Sequence, residues 1–156
     1  MRKVLVAAAL AAAAGVAAHA PQSGFEGEWT LNRARTVLQY PSLADLDSAT
    51  VRIEHADSVI RFHRRFVMHG VPDTVSFALT LNGAEAVLTV GERSATSRLR
   101  TSGDTIVFTS RIVAPQGEAY DTVRYWLLDG GRTLQGHECF TAPRTRYDNQ
   151  WVFDRR

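Results

Sequence analysis

Arg64 stands where a barrel or sandwich would keep an apolar side chain. In the stretch from Ile60 to Met68, Ile60, Phe62, Phe66 and Met68 share one period-two face with Arg64. Arg61, His63 and Arg65 fall on the other face. A guanidinium on an inward face needs a carboxylate, water or a ligand anion, because burying it unpaired costs several kcal/mol. Two chemistries follow. One is structural, with a bulge turning Arg64 outward or an ion pair to Glu138. The other is binding, with the forked donor anchoring a ligand carboxylate or similar group. Ser97, Ser110, Tyr125, Glu138 and Asn149 have the same inward parity. Together they make either a polar patch inside an apolar cavity or a self-satisfied network filled by water.

The histidines raise the question of a metal. His55, His63, His69 and His137 are enough for a site, and His137-Glu138-Cys139 gathers three ligand types. Adjacent strand residues point to opposite faces, so His137 and Glu138 cannot hold one ion from a regular strand. The histidines therefore read as surface residues, and neither a metal nor a cofactor is expected. No Gly-x-Ser-x-Gly elbow, Gly-rich phosphate loop, His-Glu-x-x-His or Cys-x-x-Cys occurs, so no catalytic residue is assigned. Cys139 is the only cysteine, which excludes an internal disulfide. It reads as a small semi-buried apolar residue; an intermolecular bridge and a reactive thiol are the alternatives.

The elements that position these residues begin after a leader. Residues 1–20 have a basic start (Arg2, Lys3), an apolar run from Val4 and small residues at the end. That is the pattern of a secretory signal peptide, with cleavage after Ala18 or Ala20. The run is shorter than the roughly 20 residues that span a bilayer, and no later stretch approaches that length. The expected location is periplasmic or secreted, with residues 21–156 as one domain. Removing Arg2 and Lys3 from the 18 basic residues leaves them equal to the 16 acidic ones. The remaining basic residues are all arginines, scattered among acids, which argues against a nucleic-acid partner. The oligomeric state is open.

From Gly27 onward the chain reads as strand after strand. Turn signals fix register, and register fixes which side chains share a face. Asn82-Gly83 predicts Leu79 opposite Ala86 and Phe77 opposite Leu88. Ala56-Asp57 predicts Ile53 opposite Ile60 and Val51 opposite Phe62. Gly103-Asp104 predicts Leu99 opposite Phe108, with Ser97 facing Ser110. Gly130-Gly131 predicts Leu127 opposite Leu134, Val123 opposite Glu138 and Tyr125 opposite Gly136. Most of these pairings put apolar residues on one face, with Ser97, Ser110 and Glu138 as the inward polar exceptions. The expected fold is all-β, an antiparallel up-and-down β-barrel of about 8–10 strands, since closure removes exposed edges; a sandwich is the alternative. Asn32 to Ser48 reads as a lid or crossover between the first two strands, with a short helical segment at Pro41 to Leu46 and Ser42 as its N-cap.

Gly27-x-Trp29 opening the first strand, with an arginine ending the last, resembles the lipocalin and wider calycin pattern. In that family the Trp packs across the closed end of the barrel against a late-chain arginine. The resemblance implies that role for Gly27, Trp29 and Arg155, the last having the inward parity of Trp151 and Phe153. It also implies transport or sequestration of small apolar ligands. The expectation is an exported lipocalin-like barrel holding a small hydrophobic or amphipathic ligand. The alternatives are a packed structural or interaction module of the bacterial cell envelope and an enzyme on the same barrel.

Overall fold

A computed structural model describes residues 24–90 and 93–156. Ten antiparallel strands form one sheet in the order β4-β3-β2-β1-β10-β9-β8-β7-β6-β5. They are β1 (Gly27–Leu31), β2 (Leu46–Ala56), β3 (Val59–Met68), β4 (Val71–Thr80), β5 (Ala86–Val90), β6 (Arg93–Ser102), β7 (Thr105–Ala114), β8 (Gly117–Leu128), β9 (Thr133–Ala142) and β10 (Thr145–Arg155). The first strand closes the meander by pairing with both β2 and β10. The result is the expected barrel, nearly closed.

It is not fully closed. The Asn82-Gly83 turn is present, but among the described residues no ladder joins β4 to β5. The pairings expected across that turn, Leu79 with Ala86 and Phe77 with Leu88, are therefore absent. Parity reports which face a residue takes, and both strands keep their faces while parting. Pro72 lies on the resulting edge strand, opposite Val67, where a missing N–H costs no ladder bond.

The other hairpins follow turn chemistry. Gly103 (φ 57°) turns the chain as expected, setting Leu99 opposite Phe108 and Ser97 opposite Ser110. The turn at Gly130-Gly131 sets Leu127 opposite Leu134, Val123 opposite Glu138 and Tyr125 opposite Gly136. The β2–β3 register differs from expectation. Asp57 takes the left-handed conformation (φ 54°), and the two-residue loop is Asp57-Ser58, with Ala56 opposite Val59. Ile53 thus meets Phe62 and Val51 meets Arg64. The slip is an even number of residues, so no side chain changes face.

The crossover carries one 3-10 turn, Pro41–Leu43. Its N-cap residue is Tyr40 with no side-chain cap, and Pro41, not Ser42, begins it, as suits a residue with a fixed φ and no N–H. Before that turn the crossover runs beside β10. Asn32 N donates to Val152 O (2.8 Å), and Val37 exchanges backbone bonds with Gln150 (2.9 and 2.8 Å).

The core is the inward face. Trp29, Phe62, Phe153, Ile53, Leu79, Leu99, Ile106 and Leu134 are almost wholly buried. Phe62 lies edge-on to Phe108 with centroids 4.5 Å apart and stacks on Phe77 at 5.3 Å, so aromatic rings bridge strands across the interior. Offset and edge-on pairs of this kind add about 0.5–1.5 kcal/mol beyond their buried area.

Candidate functional site

The aromatic core leaves space beside it. One cavity of 560 Å³ lies among β3–β8, with Arg64, Phe77, Leu88 and Phe108 in its walls. Ser76, Val87 and Thr89, whose parity is outward, also line it, so it opens through the gap between β4 and β5. A second cavity of 250 Å³ is bordered by Tyr40 and Leu43 of the crossover and reaches Glu138, Tyr147 and Trp151. The two share one stretch of wall: Arg64, Ile112, Asp121, Val123 and Tyr125.

Arg64 sits on β3 with its guanidinium 5.4 Å from the Phe66 ring centre and 5.9 Å from that of Phe77. No bulge turns it outward. Its Nε is buried without a hydrogen-bond partner, and no ion pair joins it to Glu138 among the described residues. Both structural roles considered for it are therefore missing. The aromatic faces partly replace the lost hydration.

Asp121 is the residue that parity reading passed over. It lies four residues before Tyr125 on β8, hence on the same face, and opposite Ser110 in the ladder. Its Oδ1 is buried and has no partner. Burial pushes its carboxyl up to about 7, with the Glu138 charge adding to the rise; Arg64 and a hydrogen bond at Thr122 pull the other way. Burial likewise pushes the Tyr125 hydroxyl up to about 12 and raises that of Tyr147, so both remain donors at neutral pH. Tyr147 is held in a stack, 4.7 Å from Tyr40 and 4.8 Å from Phe140.

The remaining candidates divide by how free their polar atoms are. The Ser97 and Ser110 hydroxyls bond to one another at 2.8 Å in the larger cavity. Glu138 Oε2 accepts from Asn149 Nδ2 and Trp151 Nε1, each at 2.8 Å. Asn149 is fully buried and lines neither cavity; its Oδ1 accepts the backbone N–H groups of Gln39 (2.8 Å) and Tyr40 (3.4 Å). Its position is that of a strut for the crossover. Tyr125 packs against Gly136, where a Cβ would come within 2.7 Å of its Cε1. Any larger residue there would drive the ring toward the cavity.

Gly27, Trp29 and Arg155 lie apart from the cavities. Trp29 is wholly buried, donates Nε1–H to Phe25 O at 3.0 Å, and lies beneath the Arg155 guanidinium at 4.1 Å from the ring centre. Gly27 has φ 127°, and Arg155 Nη1 sits 2.8 Å from where a Cβ would be, so the approach requires glycine.

His63 and His137 are on the outer wall, and His69 is exposed at a turn. His55, expected at the surface, shares the inward parity of Val51 and Ile53 at the end of β2 and buries its Nε2 without a partner among the described residues. None of the four lines either cavity among the described residues. His137 and Glu138 do face opposite ways. His137 instead approaches Cys139 and Asp148, its Nε2 3.7 Å from the thiol and 3.6 Å from Asp148 Oδ1. The hydrogen bond to Asp148 holds the Cys139 thiol above its ordinary range. No imidazole lies near Ser97 or Ser110 among the described residues.

No family model matches the chain, and no curated protein sequence does either. Solved structures do. Lipid binding protein 8 of Caenorhabditis elegans superposes with a TM-score of 0.63 at 12% identity, over 85% of this chain and 96% of that one. A Schistosoma mansoni fatty acid binding protein in complex with arachidonic acid gives 0.58 at 12% identity, over 88% and 99%. The zebrafish ileal bile acid-binding protein complexed with cholic acid gives 0.55 at 12%, over 86% and 100%. At such identities the likeness is one of fold: this chain has the barrel architecture of those solved structures.

Proposed function

We propose that this protein binds a small amphipathic molecule, its apolar body among the Phe62, Phe77 and Phe108 side chains and its polar head at Arg64. The observation that carries the reading is the 560 Å³ cavity reaching a buried guanidinium nitrogen that has no partner. Its volume falls within the usual range of about 300–1,000 Å³ for small-molecule sites. The gap between β4 and β5 provides the way in. Neighbours of the same fold whose structures hold arachidonic acid or cholic acid support an apolar ligand. Ser97, Ser110 and Tyr125 border the site and orient the head; Glu138 and Asn149 brace the wall and crossover. Export rests on the N-terminal pattern, which lies outside the described residues; N-terminal sequencing of mature protein from a host that recognises the signal should begin at His19 or Pro21.

Nile red, an uncharged dye that brightens in apolar surroundings, tests the cavity. The protein should enhance its emission, and dodecanoyl amphiphiles should displace it. Arg64→Ala should weaken those amphiphiles by about 10–100-fold, the worth of one charge-assisted hydrogen bond. Unchanged affinity in that variant would remove Arg64 from the site. Absence of any Nile red signal would favour the packed module, for which the Phe62–Phe108 contact at 4.5 Å is the supporting observation.

A further inference from the structure

The wall shared by the two cavities presents two open hydrogen-bonding groups of opposite sense. Arg64 Nε is a buried donor without an acceptor, and Asp121 Oδ1 is a buried acceptor without a donor. No ion pair joins the two among the described residues, although both line the same two voids. Groups left open in this way are costly to bury. One occupant that offers an acceptor to Arg64 and a donor to Asp121 would satisfy both.

The charges around the wall narrow the choice. Asp121 is faced by Arg64 from β3, Asp73 from β4 at the cavity mouth, Tyr125 on its own strand, Glu138 from β9 and Tyr147 from β10. On the outer face Arg98 and Arg111 are already paired with Glu85 and Glu118. Among the described residues Arg64 is thus the single cation lining the two cavities, and it is set against Glu138 and Asp121 before any ligand enters. An ionised head would add a further negative charge to that wall. An uncharged head would not.

Resting on the binding function above, we infer that the occupant is an amphiphile with an uncharged head, in which a hydroxyl stands beside a carbonyl oxygen, as in a monoacylglycerol, and that Asp121 is the residue that selects it. The hydroxyl donates to Asp121 Oδ1 and the carbonyl accepts from Arg64 Nε. A bare carboxylate offers Asp121 no proton, so it enters only when Asp121 takes one up. Because burial holds that carboxyl at about 7, the uptake falls in an accessible range. Affinity for a carboxylate ligand should therefore fall as pH rises through 7. Affinity for the uncharged ligand should hold steady or rise, because the ionised form is the better acceptor.

The test is displacement of Nile red by 1-dodecanoylglycerol and by dodecanoate, each below its micellar concentration, between pH 6 and pH 8.5. At pH 8 the glyceride should bind at least tenfold more tightly than dodecanoate, and the difference should narrow toward pH 6. Asp121→Asn, which cannot ionise, should bind dodecanoate about tenfold better than the native protein at pH 8 and lose its pH dependence. Thermal unfolding at both pH values establishes that the variant is folded, and the native protein's two pH profiles stand as evidence independent of it. Dodecanoate binding as well as the glyceride at pH 8, or an unaltered preference in Asp121→Asn, would overturn the selectivity while leaving the cavity intact as a binding site. Failure of Nile red to bind at all would overturn both.

Discussion

Arg155 and Trp29 are cross-strand partners between β10 and β1, and the guanidinium of one covers the ring of the other at 4.1 Å. The same guanidinium donates to the carbonyls of Glu26 (2.6 Å), Gly131 (2.8 Å) and Gly24. One side chain thereby ties the lead-in segment, the β8–β9 turn and the last strand together at the junction that closes the sheet. Arg155→Ala should lower stability by about 2 kcal/mol, combining lost charge-assisted bonds with the cation–π contact in a solvent-exposed setting. Arg155→Lys keeps the charge but not the fork, and should recover less than half of that. Urea unfolding followed by tryptophan fluorescence measures both; a lysine variant as stable as the native protein would show that charge alone suffices.

Asp121 should make the barrel less stable as the medium becomes alkaline. Its folded-state value, about 7, lies above the ordinary value of 3.8, so the folded chain holds the proton more tightly than the unfolded one. The stability linked to that proton is fully present below pH 4 and is lost as pH rises to 7. Asp121→Asn should leave stability at pH 4 nearly unchanged and raise it at pH 8 by about 2–4 kcal/mol. Thermal unfolding at the two pH values gives the comparison, and equal shifts at both would contradict the buried, partly protonated carboxyl.

Asn149 should matter to the crossover more than to ligand contact. Removing its amide strands the Gln39 and Tyr40 N–H groups and one bond to Glu138, all in part-buried bonds. Asn149→Ala should cost about 2–3 kcal/mol. Hydrogen exchange should accelerate at Gln39 and Tyr40 before it does in β6 or β7. Uniform acceleration across the barrel would argue against a local strut.

Cys139 should react slowly at neutral pH. Asp148 raises its thiol through a hydrogen bond that favours the protonated form, so the thiolate fraction is depressed. Asp148→Asn should speed alkylation by iodoacetamide several-fold at pH 8, with the difference shrinking as the pH climbs and both thiols ionise. An unaltered rate would show that the carboxylate does not govern the thiol.

Much of this architecture is legible in the chain, and the exceptions have physical causes. Gly103 and the Gly130-Gly131 pair supply positive φ at the positions their turns need, so the strands they join pair as read. Asp57 supplies a positive φ from a residue that seldom does, which moves the loop along the chain and shifts the β2–β3 register without turning a face. The β4–β5 opening left no mark in the residue pattern, since alternation encodes inside and outside and not hydrogen bonding between neighbours. Arg64 was legible because its neighbours Phe62 and Phe66 frame it. Asp121 obeys the same parity as Val123 and Tyr125, yet an acid between polar neighbours gives no apolar contrast to betray it. That Asn149 and Glu138 have their polar atoms committed is a matter of distances, which alternation does not carry.

Native mass spectrometry tests the occupied barrel most directly. Protein isolated without delipidation, or incubated with 1-dodecanoylglycerol, should carry a noncovalent adduct that leaves on collisional activation and is depleted in Arg64→Ala. Bare chain mass in both preparations would contradict a ligand-holding interior.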